Sequence, residues 1–233
     1  MDNFSELENK IGINFKNKNL LKQAFCHRSY LNEKKDALLE NNERLEFLGD
    51  AVLELIVTDY LYKNYRNPEG ELTGWRAYLV NSKNLAKIAK NLGFEKCLLL
   101  SKGEAKGKGK GKMIILGNAF EAFLGALFLD QGYEVAEKFV VKNLLAGLPK
   151  KLKSREWEDS KSRLQEIVQE RTKTTPVYKI LKEWGPDHNK QFIAGVFVAD
   201  KLLAQGSGFS KQEAEEKAAE KALSESIFKD DKV

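Results

Sequence analysis

Residues 42–53 read NERLEFLGDAVL, and on a helix this stretch separates into two faces. At 3.6 residues per turn Glu43, Glu46 and Asp50 stand at i, i+3 and i+7, within an arc of roughly 60°. Glu54 falls in the same arc. Leu45, Leu48, Val52, Leu55 and Ile56 lie opposite and form the expected core stripe. An acidic face can simply be solvated. Two details argue against that here. Like charges one turn apart destabilise a helix unless something neutralises them, and a divalent cation would do so. Phe47 also sits on the acidic side, where a large aromatic needs cover from another element or another subunit.

On either side of this stretch the chain reads as helical from residue 4 to about 147. Apolar residues recur at helical spacing near 17–25, 42–64, 72–92, 114–130 and 133–146. Breaks fall at Asn67-Pro68, at Gly93 and over 101–112, which reads SKGEAKGKGKGK. Alternating Gly and Lys cannot build a core, so this loop is expected to be mobile, either a basic arm suited to phosphates or a solvated loop with no specific role. From Met113 to Leu129 the chain is apolar nearly all round, with Asn118 and Glu121 as its sizeable polar side chains. A carboxylate in such surroundings is costly unless paired, protonated or bound to metal. Asn118-Ala-Phe-Glu121 also fits a capping box with Asn118 as N-cap, and from this segment alone the cap is the simpler reading.

Beyond Pro149 the pattern changes. The basic run Pro149-Lys-Lys-Leu-Lys-Ser-Arg155 reads as a linker, placed at 149–158. Residues 160–171 read as helix, 176–184, 190–199 and 201–206 as strands, and 210–228 as helix. The expected fold is therefore an all-α domain over 1–148 and a small α+β domain, α-β-β-β-α, over 159–228. Ser210-Lys-Gln-Glu213 is a capping box, and Ala214, Ala218 and Ala222 are spacers that let the last helix lie close on the sheet.

The bulk numbers exclude several classes. The chain has 233 residues, and 42% are hydrophobic, enough for packed cores. A net charge of +5 is compatible with nucleic acid without pointing to it. Cys26 and Cys97 cannot form a disulfide framework or a zinc site, and are expected to be reduced thiols in a cytoplasmic protein. The polar, acidic start is no signal peptide. No run of 18 apolar residues exists, so no membrane partner is expected.

The stretch NERLEFLGDAVL resembles the signature of the ribonuclease III family. LGNAFEAFLGALFLDQG (116–132) resembles that family's second metal-binding stretch. His27-Arg28-Ser29-Tyr30 resembles a further family motif, read as structural, and Glu69-Gly70 with Leu72, Arg76 and Leu79-Val80 resembles the stretch after the signature. Residues 159–228 resemble a double-stranded-RNA-binding domain. That likeness rests on Arg163, Gln165 and Glu166 in the first helix, on the loop Gly185-Pro186-Asp187-His188, and on Gly206 to Lys211 with Ser210 at the entry to the last helix. These groups suit the shallow minor groove and the phosphates of A-form RNA.

The resemblance implies an endoribonuclease that hydrolyses double-stranded RNA with Mg²⁺, Mn²⁺ being able to substitute, and with no small-molecule cofactor. Glu46, Asp50, residue 118 and Glu121 are the implied metal positions, with Asp50 and Glu121 catalytic. Glu43 and Glu69 match positions near the RNA backbone. The products implied carry 5′-phosphate and 3′-hydroxyl ends, and the substrates are ribosomal RNA precursors and structured messages. A symmetric homodimer is implied too, with Phe47 in its interface. Position 118 departs from the family pattern, which has Asp where this chain has Asn. The alternative expectation is thus a catalytically impaired or inactive duplex-RNA-binding protein that keeps the nuclease fold.

Overall fold

The computed structural model describes residues 3–34, 39–107, 109–153, 160–186 and 189–224. They divide into two compact units, Met1–Trp157 and Glu158–Val233. The first unit is helical: α1 (Asn3–Ile11), α2 (Lys18–Ala24), α3 (Arg28–Glu33), α4 (Glu43–Asn64), α5 (Glu69–Val80), α6 (Ser82–Leu92), α7 (Lys102–Lys106), α8 (Lys110–Gln131), α9 (Tyr133–Val140) and α10 (Leu148–Lys153). A short 3₁₀ turn (Phe94–Lys96) follows α6, and a π turn (Val141–Leu145) continues α9.

Side-chain caps decide several of these boundaries. The Asn17 side chain accepts from the backbone N–H of Asn19 and Leu20 and starts α2. Residues 72–92, expected as one segment, are two helices. Asn81 is extended, and its side chain accepts from Asn84 N at 2.8 Å, which restarts the chain as α6. Gly93, in the left-handed region at φ 87°, ends α6. The loop expected over 101–112 is partly helical, because the Ser101 side chain caps α7 and α8 already begins at Lys110. Pro149–Lys153, expected as linker, belongs to α10. Proline is well tolerated in a first helical turn, where its missing N–H would have no partner anyway.

α8 is the spine of this unit and packs against α2, α4, α6 and α9. By length and composition Gly111–Gln131 could cross a membrane. Its buried faces explain the composition otherwise, since a core helix covered on several sides has no use for polar residues. Around it Phe25, Phe94, Phe123 and Phe139 form a chain of ring contacts 5.0–5.1 Å apart where Phe25 meets Phe94, Phe94 meets Phe123 and Phe123 meets Phe139. On α4 the buried side is Leu45, Gly49, Val52, Leu53, Ile56, Val57 and Leu61. Leu55, expected in the core stripe, is 58% exposed.

The second unit is α11 (Ser160–Thr172), β1 (Val177–Trp184), β2 (Gln191–Val198), β3 (Lys201–Gly208) and α12 (Lys211–Ser224). The strands form one antiparallel sheet in the order β1-β2-β3, with bulges at Leu181 and near Phe197. Leu164 and Val168 of α11 meet Val196, Ala204, Ala218, Ala219 and Ala222 in its main core. The alanine spacing works as expected. A Cβ on Gly206 would stand 2.5 Å from Ala214 O, so α12 lies backbone to backbone on β3.

Candidate functional site

Helices α4 and α8 touch through two glycines. A Cβ on Gly49 would stand 2.6 Å from the Glu121 carbonyl carbon and 2.9 Å from Gly125 N. A Cβ on Gly125 would stand 3.0 Å from Gly49 N and press on the Leu45 carbonyl oxygen. Only glycine permits this approach. It sets Glu46 and Asp50, flanking Gly49, beside Asn118 and Glu121 on α8. Anchors fix the start of α4. The buried Asn42 donates from its N–H to Cys26 O at 2.9 Å and from Nδ2 to Ala24 O at 3.1 Å.

The electrostatics follow from that crossing. Burial, then the charges of Asp50 and Glu46, push the Glu121 carboxyl up to about 7. Burial also raises Glu46. A hydrogen bond with the Asn118 side chain opposes that rise, and Glu43 and Asp50 add to it. Among the described residues no lysine or arginine forms an ion pair with Glu46, Asp50 or Glu121. Also among the described residues, no group of three or more His, Cys, Asp or Glu converges closely enough to hold an ion unaided. The donor set nevertheless suits a hard divalent cation in kind: three carboxylates and one amide oxygen, half-buried in part, with charge that nothing neutralises. The expected cap at Asn118 is overturned. Residue 118 stands inside the 22-residue α8, where no N-cap exists, and its side chain meets Glu46 instead.

The remaining acidic positions have partners outside this group, although the charge of Glu43 still raises Glu46. Glu43 is exposed and pairs with Arg28 at 3.7 Å. Glu69 opens α5 and accepts from Thr73 Oγ1 at 2.8 Å. Glu54 is neutralised by Arg76 at 3.0 Å, which removes it from the acidic arc. The structural reading of residues 27–30 fits the geometry. His27 caps α3, and Ser29 Oγ accepts from Ser101 N at 3.1 Å, tying α3 to the start of α7.

Phe47 is 82% exposed, the largest exposure among the exposed large hydrophobics. Phe47 itself borders a mostly apolar surface cavity of about 630 Å³, together with Leu20, Gln23, Leu45, Leu48 and Leu129 and the charged Glu40, Glu43 and Arg44. The exposed Leu55 and Tyr62 continue the apolar strip along α4. The acidic-face argument found Phe47 in the sequence. It missed the cavity, whose walls come from three helices.

In the second unit Gln165 and Glu166 are exposed on α11, whereas Arg163 is half-buried, so the three do not share one open face. Gly185 turns the β1–β2 loop at φ 95°, and Asn189 N donates to Pro186 O at 2.8 Å. Asp187 and His188 lie outside the described residues. The Ser210 side chain accepts from Glu213 N at 3.1 Å, and Glu213 accepts from Phe209 N at 2.9 Å. This box leaves Lys211 exposed at the start of α12.

Comparison with known proteins assigns both units. Residues 17–148 match the family model of ribonuclease-III-like domains, and residues 160–226 match the double-stranded RNA binding motif. Ribonuclease 3 of Pelotomaculum thermopropionicum is 46% identical over 226 residues, which cover 97% of this chain and 94% of that protein. Ribonuclease 3 of Geobacillus kaustophilus is 48% identical over 221 residues, covering 94% and 89%. Among solved structures, a ribonuclease III nuclease domain from Campylobacter jejuni is 43% identical with a TM-score of 0.57. It covers 63% of this chain and 99% of its own, and is described for flexibility in a region involved in dimer formation.

Proposed function

The chain belongs to the ribonuclease III family and is a divalent-metal-dependent endoribonuclease of double-stranded RNA; we propose that its reaction centre is the crossing of α4 and α8 and that its metal is Mg²⁺. Glu46, Asp50, Asn118 and Glu121 would hold the ion. The chemistry a bound Mg²⁺ would supply there is activation of the attacking water and stabilisation of the leaving 3′ oxygen, and the products would carry 5′-phosphate and 3′-hydroxyl ends. The observation that carries this is Glu121, a carboxyl raised to about 7 by burial and by Asp50 and Glu46. It releases its proton when a cation arrives, and its affinity for the cation therefore rises with pH through that value. Asn118 orients Glu46 through their hydrogen bond. It contributes an oxygen without a charge, which calls for a higher Mg²⁺ concentration than four carboxylates would. The Gly49–Gly125 contact holds the two donor pairs at a fixed spacing.

The enzyme acts as a homodimer in this reading. Phe47 of each protomer enters the cavity beside Phe47 on the other, which would bury two exposed apolar surfaces at once in a self-complementary way. Glu43 and Glu69 then lie along the RNA backbone. The nuclease unit spans 1–148 and the RNA-binding unit 159–228. Gln165 and Glu166 of α11, the β1–β2 loop with Pro186 and His188, and Ser210 and Lys211 at the start of α12 contact the duplex, Arg163 with the smaller share. The substrates are structured transcripts in the cytoplasm, ribosomal RNA precursors among them.

Incubating a long RNA duplex with the protein in Mg²⁺ and in Ca²⁺ tests the reading. Short fragments with 5′-phosphates are expected in Mg²⁺ alone. Duplex binding without fragments at any Mg²⁺ concentration would instead support the second reading, a binding protein disabled by Asn118.

A further inference from the structure

The sheet of the second unit has one face covered and one face open. Phe192, Ala194 and Val196 of β2 are buried toward the helices. Ile193, Gly195 and Phe197 alternate with them and therefore point away. In the pairing register Val177 and Leu202 stand opposite Phe197, Lys179 opposite Gly195, and Trp184 opposite Gln191. This outer face should be polar if it only met water. Instead Val177 is 49% exposed, Leu181 44%, Trp184 38% and Leu202 38%. A Cβ on Gly195 would lie 2.9 Å from the Leu181 and Leu202 methyls and 3.0 Å from the Phe197 ring, so these side chains fold over Gly195 into a low floor. The six-residue step from Gln191 to Phe197 puts the two rings at opposite ends of that floor, roughly 20 Å apart.

The charges on this face have one sign. Lys179 Nζ lies 5.1 Å over the Phe197 ring, and Lys182 Nζ lies 5.7 Å over the Trp184 ring. No outward position of the three strands carries Asp or Glu. Glu183 alternates toward the covered face and pairs with Lys190 at 3.5 Å. A protein partner would be drawn by the aliphatic floor alone. Ring faces that each carry an ammonium, on a surface free of carboxylates, match a polyanion whose flat groups stack, because the lysine can leave the ring for a phosphate while a base takes its place.

We propose that the outer face of β1-β2-β3 binds single-stranded RNA, with bases stacking on Phe197 and Trp184 and phosphates on Lys179 and Lys182. The duplex contacts proposed above lie on α11, the β1–β2 loop and the start of α12, so one unit would hold a duplex and a single-stranded flank on separate surfaces. The proposal does not rest on the nuclease reading, and its test needs no cleavage.

A labelled oligouridylate of about 12 nucleotides, within the range a single small module covers, is titrated with the full chain at low salt in chelator, and its anisotropy is followed. Binding is expected. Trp184→Ala should weaken it by about 5- to 100-fold, the range for losing one base–aromatic stack, with duplex affinity changed less than about twofold. Should Trp184→Ala disturb the sheet, lost duplex binding will show it. Lys179→Gln with Lys182→Gln then serves, and should lower the salt slope for the oligouridylate by about 1.4. The proposal is overturned by any of three results. One is no binding of the oligouridylate by the native chain. Another is equal losses for duplex and single strand in the Lys179→Gln, Lys182→Gln chain. The third is self-association in sedimentation that Trp184→Ala removes while oligouridylate binding persists, which would make a second copy the occupant.

Discussion

Gly49→Ala tests the geometry on which the metal site depends. A Cβ at residue 49 would stand 2.6 Å from the Glu121 carbonyl carbon, where real contacts are ordinarily 3.4 Å or longer. The neighbour is helix backbone, so it cannot turn aside as a side chain would. α4 and α8 must part by about 1 Å, and overpacking of this kind destabilises by about 1–3 kcal/mol. The larger consequence is for Mg²⁺. Glu46 and Asp50 move with α4, while Asn118 and Glu121 stay with α8. Magnesium tolerates little departure from its short oxygen distances, and a misplacement of about 1 Å can cost on the order of 100-fold in rate. Initial rates of duplex cleavage across a Mg²⁺ series, with urea unfolding and duplex binding in Ca²⁺ alongside, measure all three effects. Gly111→Ala is the control, because residue 111 lies in α8, the other helix of the crossing, with nothing within 4 Å of its Cβ position. It should be neutral or stabilise by up to about 1 kcal/mol. A folded Gly49→Ala protein with native rates and native Mg²⁺ dependence would show that the crossing does not set the donor spacing.

Phe47→Ala should weaken dimerisation by about 3–5 kcal/mol if the ring is buried in the partner, and a sedimentation profile unchanged at low micromolar concentration would contradict that role. Removing everything after Pro149 should leave a folded dimer that cuts duplex RNA only at reduced salt, because the lost unit supplies phosphate contacts that weaken steeply with salt; complete inactivity at low salt and high Mg²⁺ would assign the second unit more than binding. Metal-free protein should also lose stability as pH rises. The Glu121 carboxyl is pushed up to about 7 in the fold and returns to its ordinary value of 4.5 when unfolded, so its favourable contribution is complete below the lower value and lost through the upper one. After allowance for its part in solvent the loss is about 2 kcal/mol. Unfolding in chelator at several pH values should show it in the native chain and not in Glu121→Gln, and equal pH profiles would refute it.

Much of this architecture is legible in the chain itself because its signals are local. The helix over 43–64, the change to strands after residue 176 and the alanine spacing of α12 each follow from periodicity within one element. What sequence reading misplaced depends on two elements at once. Asn118 looks like a cap because the glycine–lysine stretch before it looks like a loop; packing on α2, α4, α6 and α9 extends the helix back to Lys110. Leu55 reads as core from the pattern of α4, yet the first unit leaves that side open. Gly49 and Gly125 carry no periodic signal, since a close approach exists only when both helices are in place. The outer sheet face escaped for the same reason: Phe197, Leu181 and Leu202 come together only through strand register.

The central claim, a divalent cation held where α4 crosses α8, is tested most directly by a Mg²⁺ titration of duplex cleavage for the native chain and for Asn118→Asp. Asp fills space much as Asn does; it adds a charge and replaces the amide that donates to Glu46 with a carboxylate, and a cation between the two would offset that loss. Supporting groups at metal sites are typically worth about 10–100-fold. The Mg²⁺ concentration for half-maximal cleavage should therefore fall by a factor in that range, with duplex affinity in Ca²⁺ unchanged. Superimposed titration curves would contradict the claim by taking residue 118 out of the site and leaving Glu46, Asp50 and Glu121 to hold the metal alone.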